Sequence, residues 1–158
     1  MTFDDLIVAW RTNNAINLRL LDMCTLADLE LKPGKGKTIR SNFVHIVGVR
    51  RSWVEESLKA EAATIPKLDW QEATREEILE GLIASSRAME ALLAKREGSA
   101  GKSRWSTPLF FGYAVAHEAH HRSQIEIALR LAGGGPDDAA LLGLWDWPKI
   151  SRTLDSED

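Results

Sequence analysis

Residues 106–136 read STPLFFGYAVAHEAHHRSQIEIALRLAGGGP. Ser106 or Thr107 followed by Pro108 indicates a helix start, because proline is favoured at the first helical position. Three glycines and a proline then indicate the end of the helix, at about Ala132. The stretch therefore predicts one long helix, and it carries three of the chain's four histidines.

Three other segments have the apolar spacing of long helices. The first covers about residues 2–23 and the second about residues 38–59. The third begins at Thr74, which has capping-box spacing to Glu77, and ends before the polar loop 97–104. No strand pattern of useful length occurs, so the sequence predicts an all-α four-helix bundle. Connections of about ten to fourteen residues leave the order of the helices in the bundle open.

A short fifth helix is expected after the glycine-rich stop. Asp137 or Asp138 can cap this helix, which then ends near residues 145–148. We expect residues 1–150 to form a single helical domain, because a chain of this size can bury one hydrophobic core. The remaining residues, 151–158, are polar and are expected to form a frayed tail.

The composition is that of an ordinary globular protein. Of the 158 residues, 44% are hydrophobic and 27% are charged, and the net charge is −3. Acidic and basic residues are interspersed, so no basic surface for nucleic acid is indicated. No apolar run reaches the roughly 20 residues that span a bilayer, and no secretory signal is apparent. With Cys24 as its single cysteine, we expect a cytoplasmic protein that binds neither nucleic acid nor membranes.

The histidines lie in two places, His45 in the second helix and His117, His120 and His121 in the fourth. On a helical wheel His117 and His121 lie about 40° apart, within the apolar stripe that holds Phe110. Buried imidazoles need partners for their nitrogens, and a divalent cation satisfies two of them at once. With His45 available from another helix, the pattern favours a metal site over histidines that donate to core oxygens. Three nitrogens with one open position are typical of a catalytic site.

Neighbouring polar residues are given lesser roles. His120 lies about 60° from His117 on the wheel, so it is the weaker ligand candidate. It could instead orient a metal-binding histidine or carry a proton. Glu118 lies at the edge of the stripe, four residues before Arg122, and we expect a surface ion pair between the two. Arg122 and Glu126 are both expected on the outer face of the helix.

The stretch HEAHH (117–121) also satisfies the HExxH pattern of zinc proteases, in which Glu118 would be the general base. That pattern needs a third ligand downstream, and no histidine follows His121. The chain also lacks a strand pattern that could hold an extended peptide. The sequence therefore favours the three-histidine site and leaves Glu118 outside the chemistry.

The residues around the histidines resemble a known family. The resemblance to the DinB-like family of damage-inducible bacterial proteins is carried by Phe43-Val44-His45-Ile46, Trp53, HEAHHRSQ (117–124) and LGLWDW (142–147). The match covers most of the chain, and Ser123 stands where the family commonly has glycine. The resemblance implies a four-helix bundle that often dimerises. It also implies a divalent metal ion, typically zinc or nickel, held by His45, His117 and His121.

Relatives in that family include S-transferases and isomerases that use bacillithiol or mycothiol. The resemblance therefore implies a small-molecule substrate or a low-molecular-weight thiol as a partner. The function expected from it is thiol-dependent S-transferase chemistry at a three-histidine metal site. Two alternatives stay open, a metal-dependent hydrolase and a non-catalytic, metal-stabilised module of a stress response. Three imidazoles do not identify the metal, because they accept zinc, nickel, copper or iron.

Overall fold

The structure is a computed structural model that describes residues 2–99, 104–133 and 135–154. Its helices are α1 (Phe3–Asp22), α2 (Ile39–Glu55), α3 (Lys59–Ala63), α4 (Arg75–Glu97), α5 (Thr107–Ala132), α6 (Asp138–Gly143) and α7 (Trp147–Leu154), with a 3-10 turn at Ala27–Glu30. No strand occurs in these residues. The predicted all-α class is confirmed, and the four long helices α1, α2, α4 and α5 form the predicted bundle.

The helix starts follow from side chains that satisfy the first free backbone N–H groups. Thr74 accepts a hydrogen bond from the backbone of Glu77, and the Glu77 side chain accepts one in return, which completes the predicted capping box. Ser106 caps α5 by accepting from the backbone N–H of Leu109. At the other end of α5, Gly133 has a φ of 73°, a left-handed conformation that favours glycine and ends the helix.

The direction of α4 relative to α1 follows from contacts at both ends of the pair. Trp10, in the first half of α1, donates its indole N–H to the carbonyl of Ser86, at the middle of α4, at 3.2 Å. Asp22, the last residue of α1, pairs with Arg75, the first residue of α4, at 2.8 Å. The two helices are therefore antiparallel.

The other long helices complete the order that the sequence left open. Arg50 of α2 donates to the carbonyl of Leu82 in α4, and Lys95 of α4 donates to the carbonyl of Ser57 just beyond α2, so these helices are parallel. His45, early in α2, lies beside His121 of α5, and Arg50, later in α2, pairs with Glu118, which comes earlier in α5. Helix α5 is therefore antiparallel to α2. The four long helices thus run up, down, down and up in chain order, and the segment between α2 and α4 crosses the length of the bundle.

Three element boundaries differ from those predicted. The second helix ends at Glu55, and the chain turns there before the extra short helix α3. The expected fifth helix is two helices, because Asp146 accepts a hydrogen bond from the backbone N–H of Lys149 and so starts α7. Helix α7 runs through Leu154, so residues 151–154 are helical and not a frayed tail, while residues 155–158 lie outside the described part.

The apolar side chains that face inward form one cluster contributed by all four long helices. Each long helix contributes a large side chain that is 0% exposed, and these are Trp10, Phe43, Leu82 and Phe110. Burial of such large side chains is the main favourable contribution to folding. Among the described residues, no helix is both long enough and apolar enough to cross a membrane.

Candidate metal centre

The structure brings His45 of α2 together with His117 and His121 of α5. The possible ligand nitrogens of the three side chains all lie within 4.8 Å of one another. The ring centroids of His45 and His121 are 4.5 Å apart, and those of His117 and His121 are 4.7 Å apart. His121 is buried, whereas His45 and His117 are partly exposed, so the cluster has one side open to solvent. This is the arrangement that a metal site with an accessible position needs.

The cluster fits a divalent ion in both size and chemistry. Imidazole nitrogens bind zinc at about 2.0–2.1 Å, which places three of them roughly 3.4 Å apart around a tetrahedral ion. The separations within 4.8 Å approach that value, and small rotations of the rings can supply the difference. The donor set is three imidazoles without a carboxylate, so these residues suit a borderline metal such as zinc or nickel better than magnesium or calcium.

Asn42 fixes which nitrogen of His121 is free. The Asn42 side-chain nitrogen donates to the carbonyl of Thr38 at 2.9 Å, and this contact orients the amide so that its oxygen faces His121. That oxygen lies 2.9 Å from Nδ1 of His121, which must therefore carry the proton and donate. The lone pair of Nε2 is left for a metal. A histidine held from behind in this way is a recurrent feature of metal sites.

The three imidazoles are uncharged at neutral pH. Burial, followed by the charges of Lys37 and His117, lowers the pKa of His45. Burial also lowers the pKa of His117, against the opposing effect of Glu118. For His121, burial and then the neighbouring histidines lower the pKa to about 4. The neutral form is the one that binds metal, so the site needs little deprotonation before it can do so.

Glu118 is not part of a surface ion pair, and that prediction was wrong. Its side chain is buried, and Arg50 of α2 donates to both carboxylate oxygens at 2.7 and 2.8 Å. Asn13 and Asn17 of α1 donate to the same carboxylate at 2.7 and 2.8 Å. Burial alone would raise the pKa of Glu118, but Arg50 and the amide donors more than offset it and the pKa is lowered. The carboxylate is therefore charged and fully engaged, which leaves it unavailable as a general base.

The prediction that Arg122 lies on the outer face was also wrong. Arg122 is 7% exposed and donates to the side-chain oxygen of Asn17 at 2.9 Å, with Glu118 3.9 Å away. By contrast Leu131, which lies about 40° from His117 on a helical wheel, is 71% exposed. Apolar residues surround α5 on nearly all sides, so the sequence did not fix which face is innermost. The buried face of α5 therefore includes Glu118, whereas His117 lies beside this face.

The polar partners of Glu118 were missed at the sequence level, although they left a signal. Asn13 and Asn17 are four residues apart on the apolar face of α1, close to Trp10. Arg50 occurs at helical spacing between Phe43 and Val54 on the buried face of α2. A polar residue inside an apolar stripe indicates a buried hydrogen-bonded partner. Asn42 carries the same signal, since it lies three residues after Ile39 and four before Ile46 on the buried face of α2, but only the structure shows its contact with His121.

Two further residues with reactive side chains, His120 and Cys24, lie outside the cluster. His120 is exposed, with its ring 5.2 Å from that of His121, and it does not join the ligand nitrogens of the other three. Cys24 is buried, and its thiol donates to the carbonyl of Leu20. Burial, followed by the nearby Asp28, raises the pKa of the Cys24 thiol to about 12. Neither residue supplies a nucleophile to the cluster.

Comparison with protein families gives a match over most of the chain. The family described as the DinB family matches residues 2–149, which include all three clustered histidines and their buried partners. Comparison with curated proteins gave no significant match. Comparison with solved structures likewise gave none.

Proposed function

The chain belongs to the DinB family, and we propose that it is a metal-dependent enzyme with thiol-dependent S-transferase chemistry. One observation carries the proposal, the cluster of three neutral imidazoles with an accessible side. His45, His117 and His121 are the proposed ligands. A divalent ion held there supplies Lewis acidity, which lowers the pKa of a thiol so that it is deprotonated near neutral pH.

The rest of the site keeps these ligands in place. Asn42 holds His121 in the tautomer that leaves the lone pair of Nε2 free for a metal. The ring of Tyr113 stacks on that of His117, with centroids 6.0 Å apart and planes at 25°, which restricts rotation of this imidazole. His45 comes from the long helix α2, and His117 and His121 come from the long helix α5. Packing of α2 against α5 therefore sets the separation between His45 and the other two. Rigid supporting elements of this kind are what a precise catalytic site requires.

The reacting thiol has to come from a small molecule. Cys24 is the chain's single cysteine, and its thiol is buried, protonated and outside the cluster. In the proposed reaction the sulfur of the deprotonated thiol forms a bond to an electrophilic carbon. The leaving group departs from that carbon with its electron pair, and the thiol proton passes to solvent. No oxidant or reductant is consumed.

The proposal is tested by measuring thiol consumption with zinc-loaded and nickel-loaded protein. The assay supplies one low-molecular-weight thiol and an aryl chloride whose thioether product is followed by absorbance. We expect consumption that depends on the metal, that is lost in His117→Ala and that is retained in His120→Ala. Metal-loaded protein that consumes no thiol with any electrophile would contradict the proposal. Ester hydrolysis by the same samples would then support the hydrolase, and no turnover at all would support a metal-stabilised module.

The homodimer implied by the family resemblance stays a prediction for this chain. Sedimentation velocity on the purified protein, with and without added zinc, checks it directly. A single species at the monomer mass of 17.6 kDa across micromolar concentrations would contradict it. The S-transferase proposal does not depend on the result, because all three proposed ligands come from one chain.

A further inference from the structure

A cavity of about 850 Å³ adjoins the histidine cluster at the start of α2. Its walls are the loop before α2, the first turns of α2 and the segment that leads from α3 to α4. Small-molecule sites have volumes of about 300–1,000 Å³, so this one has room for a substrate. His45 belongs both to the wall of this cavity and to the cluster. A molecule in the cavity therefore lies next to His45, one of the three proposed metal ligands.

The cavity has an excess of positive charge. Lys32 and Lys37 line it, and in the described part of the chain neither has a carboxylate within ion-pair distance. Glu30 also lines the cavity, but its carboxylate pairs with Arg40. The cavity is thus suited to an anionic ligand.

One wall of the cavity offers an apolar surface. Trp70 lines it and is 61% exposed, although a large indole is usually well covered in a folded protein. Val44 and Leu68 lie on the same walls. An exposed aromatic face beside two cations suits a ligand with an apolar body and a charged end.

We propose that this cavity binds a small molecule carrying a carboxylate, with the carboxylate on Lys32 and Lys37, the apolar body against Trp70 and the reacting end beside His45. The identity of the reacting end rests on the proposed function, since it is either the thiol or the electrophile that the thiol attacks. Carboxylate recognition itself needs only the cavity and its two lysines. Charge-assisted hydrogen bonds to ammonium groups supply both the affinity and the orientation of the ligand.

The test compares two thiols that differ in one group, 3-mercaptopropionate and 3-mercapto-1-propanol. Their binding is measured by titration calorimetry on zinc-loaded and on metal-free protein. We expect wild type to bind the carboxylate about tenfold more tightly than the alcohol, as one charge-assisted interaction implies. The preference should disappear in the double variant Lys32→Ala/Lys37→Ala. It should persist in Lys35→Ala, which removes a lysine from the same loop but not from the cavity wall.

A second arm identifies which reactant carries the carboxylate. With the neutral thiol fixed, the KM for iodoacetate is compared with that for iodoacetamide in the same variants. A lysine-dependent preference for 3-mercaptopropionate assigns the cavity to the thiol, and one for iodoacetate assigns it to the electrophile. If neither arm shows a preference that depends on the lysines, the cavity proposal is overturned. This holds even if metal-dependent thiol consumption upholds the proposed function. Lysine-dependent binding of 3-mercaptopropionate to protein that consumes no thiol upholds the cavity and contradicts the proposed function.

Discussion

Arg50 of α2 donates two hydrogen bonds to Glu118 of α5, at 2.7 and 2.8 Å, and the side chains are only 2% and 3% exposed. The guanidinium of Arg50 also lies over the ring of Trp10, 4.9 Å from its centroid. Removing two charges from water is costly, and the cost is offset here by short contacts and by the additional amide donors from α1. The pair joins α2 to α5, the two helices that carry the clustered histidines.

Loss of the Glu118 charge should destabilise the fold strongly. In Glu118→Gln the buried guanidinium of Arg50 loses its counter-ion, and breaking a buried pair costs about 3–5 kcal/mol. The free energy of unfolding from a urea titration measures this. The matched control is Glu90→Gln, which removes the partly exposed pair with Arg11 and should cost less than about 1 kcal/mol. Equal, small losses in the two variants would show that the Arg50–Glu118 pair does not hold the bundle together.

Replacement of a clustered histidine should remove the metal. His45→Ala, His117→Ala and His121→Ala should each be purified without stoichiometric metal, because two imidazoles bind a divalent ion much more weakly than three. His120→Ala should keep its metal, since His120 lies outside the cluster. Elemental analysis after dialysis gives the ratio of metal to protein. Full occupancy in His117→Ala would remove that residue from the proposed ligand set.

Asn42 should tune the affinity of the site without binding the metal. In Asn42→Leu the Nδ1 proton of His121 loses its acceptor, and a supporting residue of this kind is typically worth about 10–100-fold in metal affinity. Asn42→Asp keeps an acceptor oxygen and should restore most of that affinity. Competition with a chromophoric chelator measures the two dissociation constants. Equal weakening in both variants would point to disruption of the start of α2 instead, because both remove the hydrogen bond to Thr38.

Cys24 should be unreactive in the folded protein. Its thiol is 4% exposed and has a pKa of about 12, so a disulfide reagent at pH 8 should label native protein at least on the order of 100-fold more slowly than unfolded protein. Absorbance of the released chromophore gives both rates. Fast labelling of native protein would show that the thiol is accessible and would make Cys24 a candidate nucleophile.

The same pKa predicts how stability depends on pH. In the unfolded chain a cysteine has a pKa of about 8.5, whereas the folded value is raised to about 12. The stabilising contribution is therefore complete below about pH 8.5 and is lost as the pH rises towards 12. Wild type should lose stability across this range faster than Cys24→Ala, which lacks the group. Parallel pH profiles of the two proteins would contradict the burial of a neutral thiol.

The parts that the sequence predicted are those set by local chemistry. Thr74 and Ser106 indicated two helix starts, Gly133 lies at a helix end, and the spacing of His117 and His121 placed both imidazoles on neighbouring turns. The innermost face of α5 could not be predicted, because its apolar residues leave no unique inward direction. Which polar side chains meet inside the bundle depends on how three separate helices pack. The environment of Glu118 therefore emerged only with the tertiary structure.

The interior position of Glu118 also limits how α5 can move. Adjacent residues of this helix face different surroundings, since His117 borders the accessible side of the cluster while Glu118 is held by side chains from α1 and α2. Turning α5 about its axis would break the four hydrogen bonds that the Glu118 carboxylate accepts. It would also leave the buried guanidinium of Arg50 without its counter-ion. The Arg50–Glu118 ion pair thus opposes rotation of α5 about its axis. It holds the helix in the orientation that brings His117 and His121 close to His45.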